Sequence, residues 1–299
     1  MMNVQSVKDK LKNYAIRNNQ TLQDILIMYG LERAIYRISK SEYSNNFTLK
    51  GGILLYALFD GDFARATTDV DLHAKGLDND VQKIKEIFLE IFAIEKDDAL
   101  VFDLKSLEVT LITEFKEYHG VNVSIMAYLD RTRLRVTMDI GFGDIIYPKR
   151  VPIEFPAILD MDEAKLYAYS IYTVVSEKFE AFVQLGYANS RYKDFYDIYI
   201  LATSYDFDGD ILKKSVEETF THRNTQFDDI VAFENDFSLD KNRQLRWNSF
   251  IKKKKAMINV EFDLVIDLIK KFLSPVVYAI TNETQLNSKW SSSEKKWIY

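Results

Sequence analysis

The tightest constraint on this chain is Gly51-Gly52 followed, seventeen residues after Gly52, by Asp69-Val70-Asp71. Phe47-Thr48-Leu49-Lys50 has the pattern of a short strand, and Ile53 to Phe59 begins a helix. Adjacent glycines at such a junction let backbone amides approach a ligand. A helix N-terminus with bare amides favours anions, phosphate above all. Asp69 and Asp71 are two apart in a segment of strand character, so both carboxylates leave from one face. Magnesium is held by oxygen ligands, typically carboxylates together with substrate phosphates. Two converging carboxylates beside a phosphate cradle therefore meet the needs of a magnesium-dependent nucleotide site. Alone, a Gly-Gly is a turn signal and an Asp-x-Asp a solvated strand end. Their order and spacing carry the assignment.

Composition removes several competing chemistries. The 299 residues include no cysteine, which excludes disulfides, thiolate zinc sites and cysteine nucleophiles. Three dispersed histidines, His73, His119 and His222, do not make a multi-histidine metal site, and His73 reads as a polar neighbour of Asp71. There is no P-loop, no Gly-x-Ser-x-Gly elbow and no dinucleotide fingerprint. A net charge of −6 argues against broad nonspecific nucleic-acid binding but leaves room for a local basic groove. Arg131, Arg133 and Arg135 alternate on a strand-like segment, and the run Lys252–Lys255 reads as a solvated helix face. No apolar run reaches the length of a membrane span and the N-terminus has no secretory pattern, so the expected location is the cytoplasm.

Along the chain, helical spacing of Val7, Leu11 and Ala15 predicts a first helix, and Thr21 with Asp24 predicts the N-cap of a second. Residues 78–94 are amphipathic, and strand patterns follow at 107–115, 121–128 and 134–142. From Asp160 the periodicity is helical, over 162–187, 190–204, 208–219, 241–255 and 260–273. Pro148, Pro152 and Pro156 mark the change, which places a boundary near 155. The expected architecture is α+β, with a mixed sheet flanked by helices over 1–155 and an all-helical domain over 156–299 that completes a ligand cleft. The polar tail from Thr281 to Tyr299 is expected to be loosely ordered. Asp139 stands in an apolar strand, where a carboxylate needs a cation as partner. Asp144, after Gly-Phe-Gly, reads as a strand-end residue bonded to turn amides.

Lys50-Gly51-Gly52-x-x-Leu55 with Arg65-x-x-Thr68-Asp69-x-Asp71-Leu72 resembles the polymerase-beta-like nucleotidyltransferases, and more closely the AbiEii/AbiGii toxin family. A second stretch is similar to the same family: Lys178, then Arg191-Tyr192-Lys193-Asp194-x-x-Asp197, where Lys193 replaces the family's arginine. That replacement is not neutral at a bidentate phosphate contact, and Arg191 is the nearby guanidinium. A third stretch, from Arg246-Trp247 to Pro275, is similar to the family's C-terminal helices and reads as core. The resemblance implies a polymerase-beta-like nucleotidyltransferase domain with Asp69, Asp71 and Asp139 holding two magnesium ions. It implies phosphate and nucleotide contacts from Lys50, Gly51, Gly52, Arg65, Thr68, Arg191 and Lys193. Lys178 would supply a charge to the triphosphate, and Asp194 would orient that lysine or meet the nucleotide, leaving Asp197 to join the helices.

The function so implied is that of a bacterial type IV toxin–antitoxin or abortive-infection toxin. It would be monomeric, move a nucleotide from an NTP to RNA such as a tRNA 3′ end, release pyrophosphate, and need no direct contact with its separately encoded antitoxin. Competing readings are a nucleotidyltransferase acting on an antibiotic, a phosphotransferase or protein-modifying enzyme on the same scaffold, and a catalytically silent nucleotide-binding module. The first predicts an acidic cleft instead of a basic groove, and the last is weakened by the presence of all three carboxylates.

Overall fold

The structure, a computed structural model, describes residues 3–62, 67–112, 120–227, 230–254 and 259–299. Two compact units are formed, Met1–Gly143 with Val151–Ala168, and Asp144–Arg150 with Tyr169–Tyr299. The first contains α1 (Val4–Arg17), α2 (Leu22–Lys40), β1 (Phe47–Lys50), α3 (Gly51–Leu58), β2 (Val70–Ala74) and α4 (Val81–Phe92). It continues with β3 (Val101–Ile112), β4 (Gly120–Leu129), β5 (Thr132–Phe142), β6 (Val151–Phe155) and β7 (Ala164–Ala168). The predicted cap forms, with Thr21 Oγ1 accepting the Asp24 N–H at 3.1 Å, and Asp80 Oδ1 caps α4 by accepting the N–H groups of Gln82 and Lys83.

The seven strands form one mixed sheet in the order β3-β4-β5-β2-β1-β7-β6. β2 runs parallel to β5 and β1 parallel to β7, while the other pairs are antiparallel. Helix α2 packs on β5 and β7, and α4 packs on β3. The α2 residues Ile25, Tyr29, Leu31, Ala34, Ile35 and Ile38 are fully buried, and burial of each isoleucine or leucine among them is worth roughly 1.5–3 kcal/mol. Buried among them, Arg37 makes a two-point ion pair with Asp98, at 2.7 and 3.1 Å. Its remaining donors meet the carbonyls of Arg33, Ile94 and Leu100. A buried charge satisfied in this way ties α2 to the segment entering β3.

The first unit runs on to Ala168, past the boundary expected at 155, because β6 and β7 complete its sheet. Residues 164–168, read as helical from the sequence, alternate buried and exposed and pair with β1 and β6. Ala164-Lys-Leu-Tyr-Ala168 is too short for period two to be told from period 3.6, and the open edge of β1 decides. Of the predicted strand 107–115, residues 113–115 lie outside the described residues.

The second unit is mostly helical: α5 (Ile171–Leu185), α6 (Tyr192–Ser204), β8 (Phe207–Asp208), α7 (Gly209–His222), α8 (Asn235–Leu239), α9 (Lys241–Lys254), α10 (Phe262–Thr281), β9 (Lys289–Ser291) and β10 (Lys296–Ile298). Its core is aromatic, with Phe179, Phe182, Phe195, Trp247, Phe262 and Phe272 buried. Two expectations are corrected. The unit is not all-helical, since β8, β9 and β10 form a three-stranded sheet. Nor is the tail loose: Trp290 is fully buried, donates its indole N–H to the Ala202 carbonyl at 2.7 Å, and lies 4.9 Å from the Phe272 ring. Trp297 stacks on the Phe272 ring at 6.0 Å, meets Trp290 edge-on at 5.7 Å, and donates to the Phe272 carbonyl at 3.0 Å. The polar residues around these two indoles mask the anchor in a composition reading. Trp290→Ala should destabilise the protein by about 3–5 kcal/mol in denaturant unfolding, whereas a loose tail would leave the midpoint unchanged.

Candidate active site

The site is assembled where β1 hands over to α3. Lys50 is still extended, and Gly51 turns the chain with φ +66°. A Cβ at Gly51 would lie 1.8 Å from Asp71 Oδ2, so glycine is required there both by the backbone and by the carboxylate beside it. Antiparallel pairing sets Lys50 opposite Asp71, and the parallel β2–β5 pairing sets Asp71 opposite Asp139. Asp69 immediately precedes β2. One carboxylate oxygen from each of Asp69, Asp71 and Asp139 lies within 4.8 Å of the other two.

Each of the three carboxylates is held from one side. Asp139 Oδ1 accepts from Asn122 Nδ2 at 2.7 Å. Asp69 Oδ1 accepts from the Thr67 hydroxyl at 3.1 Å and the Thr68 N–H at 3.3 Å, and Asp71 Oδ2 lies 3.4 Å from the Gly52 N–H. Like charges at such separations repel by about 1 kcal/mol per pair even in water, and a divalent cation among them reverses the sign. An all-oxygen, half-buried donor set matches the preferences of magnesium. The residues fit the ion.

The helical unit carries a second charged constellation. Lys178 of α5 pairs with two carboxylates of α6, Asp194 at 3.1 Å and Asp197 at 2.6 Å, and both aspartates are buried. Arg191, at the N-cap of α6, pairs with Asp194 at 2.7 Å. Two cations thus balance two buried anions, the condition under which burial of charge is tolerated. Arg223 holds α5 from its other side through Glu177 and Glu180, each at 2.8 Å, and also meets Asp144 at 3.3 Å.

The sequence-derived residues therefore fall into two groups. Asp69, Asp71, Asp139, Lys50, Gly51, Gly52 and Thr68 lie together in the first unit. Lys178, Asp194 and Arg191 meet in the second, where Lys193 is exposed on the first turn of α6. Asp197, read as the helix-joining residue, shares Lys178 with Asp194, so the ion-pair role extends to all three. Asp144, read as a strand-end residue on turn amides, bonds Arg223 and the Tyr169 hydroxyl. Arg65 lies outside the described residues, as does Lys255 of the lysine run. Asn122 and Thr67 escaped sequence reading. Asn122 meets Asp139 across the β4–β5 pairing, a seventeen-residue separation that no local pattern signals. Asn122→Ala should weaken Mn²⁺ binding, followed by electron paramagnetic resonance, by roughly 10–100-fold. Unchanged affinity would reduce Asn122 to a packing residue.

No curated protein gives a significant match to this chain. Two solved structures from Helicobacter pylori are similar to it. JHP933 is 14% identical, with a TM-score of 0.46 over 85% of this chain and 95% of its own. A candidate nucleotidyltransferase is 13% identical, with a TM-score of 0.48 over 86% and 96%. At the level of sequence families, the description "Nucleotidyl transferase AbiEii toxin, Type IV TA system" matches residues 33–265, a span that includes the carboxylate triad and the α5–α6 ion pairs. With most of its length so matched, the chain belongs to the AbiEii family of nucleotidyl transferase toxins of type IV toxin–antitoxin systems.

Proposed function

We propose that this protein is a magnesium-dependent toxin that transfers a nucleoside monophosphate from an NTP to a hydroxyl of RNA, such as a tRNA 3′ end. The observation that carries the reading is the convergence of Asp69, Asp71 and Asp139 at the β1–α3 junction. In this reading the three carboxylates hold two magnesium ions. When bound, such ions neutralise charge on the triphosphate and on both the attacking and leaving oxygens of an in-line displacement.

The protein's own groups then divide the work. Lys50 and the amides of Gly51 and Gly52 bind phosphate at the start of α3, where the helix dipole favours negative charge. Thr68 and Arg65 are assigned to the nucleotide as well. Asp139, oriented by Asn122, takes the proton from the acceptor hydroxyl. The hydroxyl oxygen bonds to the α-phosphorus, the bond from that phosphorus to the β-phosphate bridging oxygen breaks, and pyrophosphate leaves. In the helical unit Lys178 is the triphosphate's point charge, Asp194 orients it, and Arg191 and Lys193 supply further positive charge. The site's partners are an NTP, an RNA acceptor and a separately encoded antitoxin that restrains the toxin without touching it. The toxin works in the bacterial cytoplasm as a monomer.

Purified protein incubated with magnesium, each labelled NTP and total bacterial RNA should label a tRNA-sized band with one nucleotide and release pyrophosphate. Asp71→Asn should lower the rate by about two orders of magnitude or more, since the charge stabilisation at stake is several kcal/mol, and EDTA should abolish labelling. Turnover of NTP without label in RNA would move the acceptor to a protein or a small molecule such as an antibiotic. Undiminished turnover in Asp71→Asn would defeat the metal site.

A further inference from the structure

The sheet face that carries Asp139 continues along β5 as a row of side chains outside the described triad. Strand alternation puts Arg133, Arg135, Thr137 and Asp139 on one face. Leu134, Val136, Met138 and Ile140, between them, are buried on the face packed by α2. The β4 residues in register are Tyr128 beside Arg133, Met126 beside Arg135, Ser124 beside Thr137 and Asn122 beside Asp139. Both arginines are exposed, and among the described residues neither forms a salt bridge. Arg135 keeps one N–H on the Ser124 hydroxyl at 3.3 Å, which aims its guanidinium across the face. The nearby turn carboxylate, Asp130, is taken by Lys8 at 3.0 Å, and Arg131 beside it adds a third exposed cation. Apart from the triad, the acidic residues that β3 brings to this face among the described residues, Asp103 and Glu108, lie on the far side of β4.

At about 3.4 Å per residue, Arg135 lies ~14 Å and Arg133 ~20 Å along the strand from Asp139. A line of guanidinium groups leading to the carboxylate that receives the acceptor's proton is suited to a chain of phosphates ending in a hydroxyl. Guanidinium forks bind phosphate oxygens in pairs, and Tyr128 offers a ring on which an unpaired base can stack. In a chain of net charge −6, this row gives a polyanion a local route that the whole-molecule charge does not.

We propose that the face of β4 and β5 bearing Arg133 and Arg135 is the acceptor track: RNA lies along the two exposed arginines, with Tyr128 under a base, and delivers its terminal hydroxyl to Asp139. This rests on the RNA-acceptor reading above and names the residues that would make it so.

The test is fluorescence-anisotropy binding of 5′-labelled tRNA, across a salt series, to the full-length protein without NTP. The variants are Arg133→Ala/Arg135→Ala, with the charge-reversed Arg133→Glu/Arg135→Glu as the stronger form. Lys241→Ala/Arg246→Ala, two exposed positions on α9, is the matched control for loss of two positive charges elsewhere. Melting temperatures of all variants identify any loss of fold. The alanine pair should weaken binding about tenfold near 0.1 M salt and lower the log–log salt slope by roughly 1.4–1.8, the value for two phosphate contacts. The control pair should change affinity by less than about twofold. Wild-type affinity and slope in the arginine variants would overturn the track while leaving the RNA reading intact, as would an equal loss in the α9 control. Failure of the wild-type protein to bind tRNA would remove the RNA reading and the track with it.

Discussion

The carboxylate site depends on one register, the parallel pairing of β2 with β5 that sets Asp71 beside Asp139. Side chains alternate across a strand with period two, so a slip by one residue would send Asp139 to the α2-packed face and bring Met138 or Ile140 out. The register is held by what that slip would expose. Leu134, Val136, Met138 and Ile140 on β5, with Val70 and Leu72 on β2, are buried, and α2 comes close enough that a Cβ on Gly30 would touch Val136 at 3.4 Å. Hydrophobic burial on one face thus fixes the chemistry of the other.

Gly51 applies a second, steric form of the same control. Asp71 can stand against the β1–α3 turn only because the turn residue has no side chain, and the same positive φ starts α3 with the Gly52 amide toward that carboxylate. The glycine pair and the Asp-x-Asp are therefore parts of one arrangement. Their separation along the chain is the path through α3 and back to β2.

Charge in the helical unit is organised differently. There, carboxylates share cations already in place: Asp194 and Asp197 share Lys178, with Arg191 also on Asp194, and Arg223 serves Glu177, Glu180 and Asp144. Such pairing makes the removal of one partner more damaging than the worth of the pair itself. It also gives Lys178 a structural duty, so that loss of this lysine perturbs the helix pair.

The local patterns were legible in the sequence because they depend on near neighbours. The Thr21 cap, the amphipathic α4, the Gly-Gly junction and the two-residue spacing of Asp69 and Asp71 all follow from periods and side-chain chemistry within a few residues. So did the mixed α+β class and the division into a sheet-bearing part and a mainly helical one, although β6, β7 and the tail were read past. Those three are settled by distant partners: β7 by the open edge of β1, β6 by β7, and the β9–β10 hairpin by β8, Ala202 and Phe272. The same holds for Asn122 on Asp139, Arg37 on Asp98 and Arg223 on α5, none of which has a signature in spacing. The sequence by itself determined which residues are candidates for nucleotidyl transfer. Only the tertiary structure decided which of them converge, because convergence comes from strand register and helix packing between segments tens of residues apart.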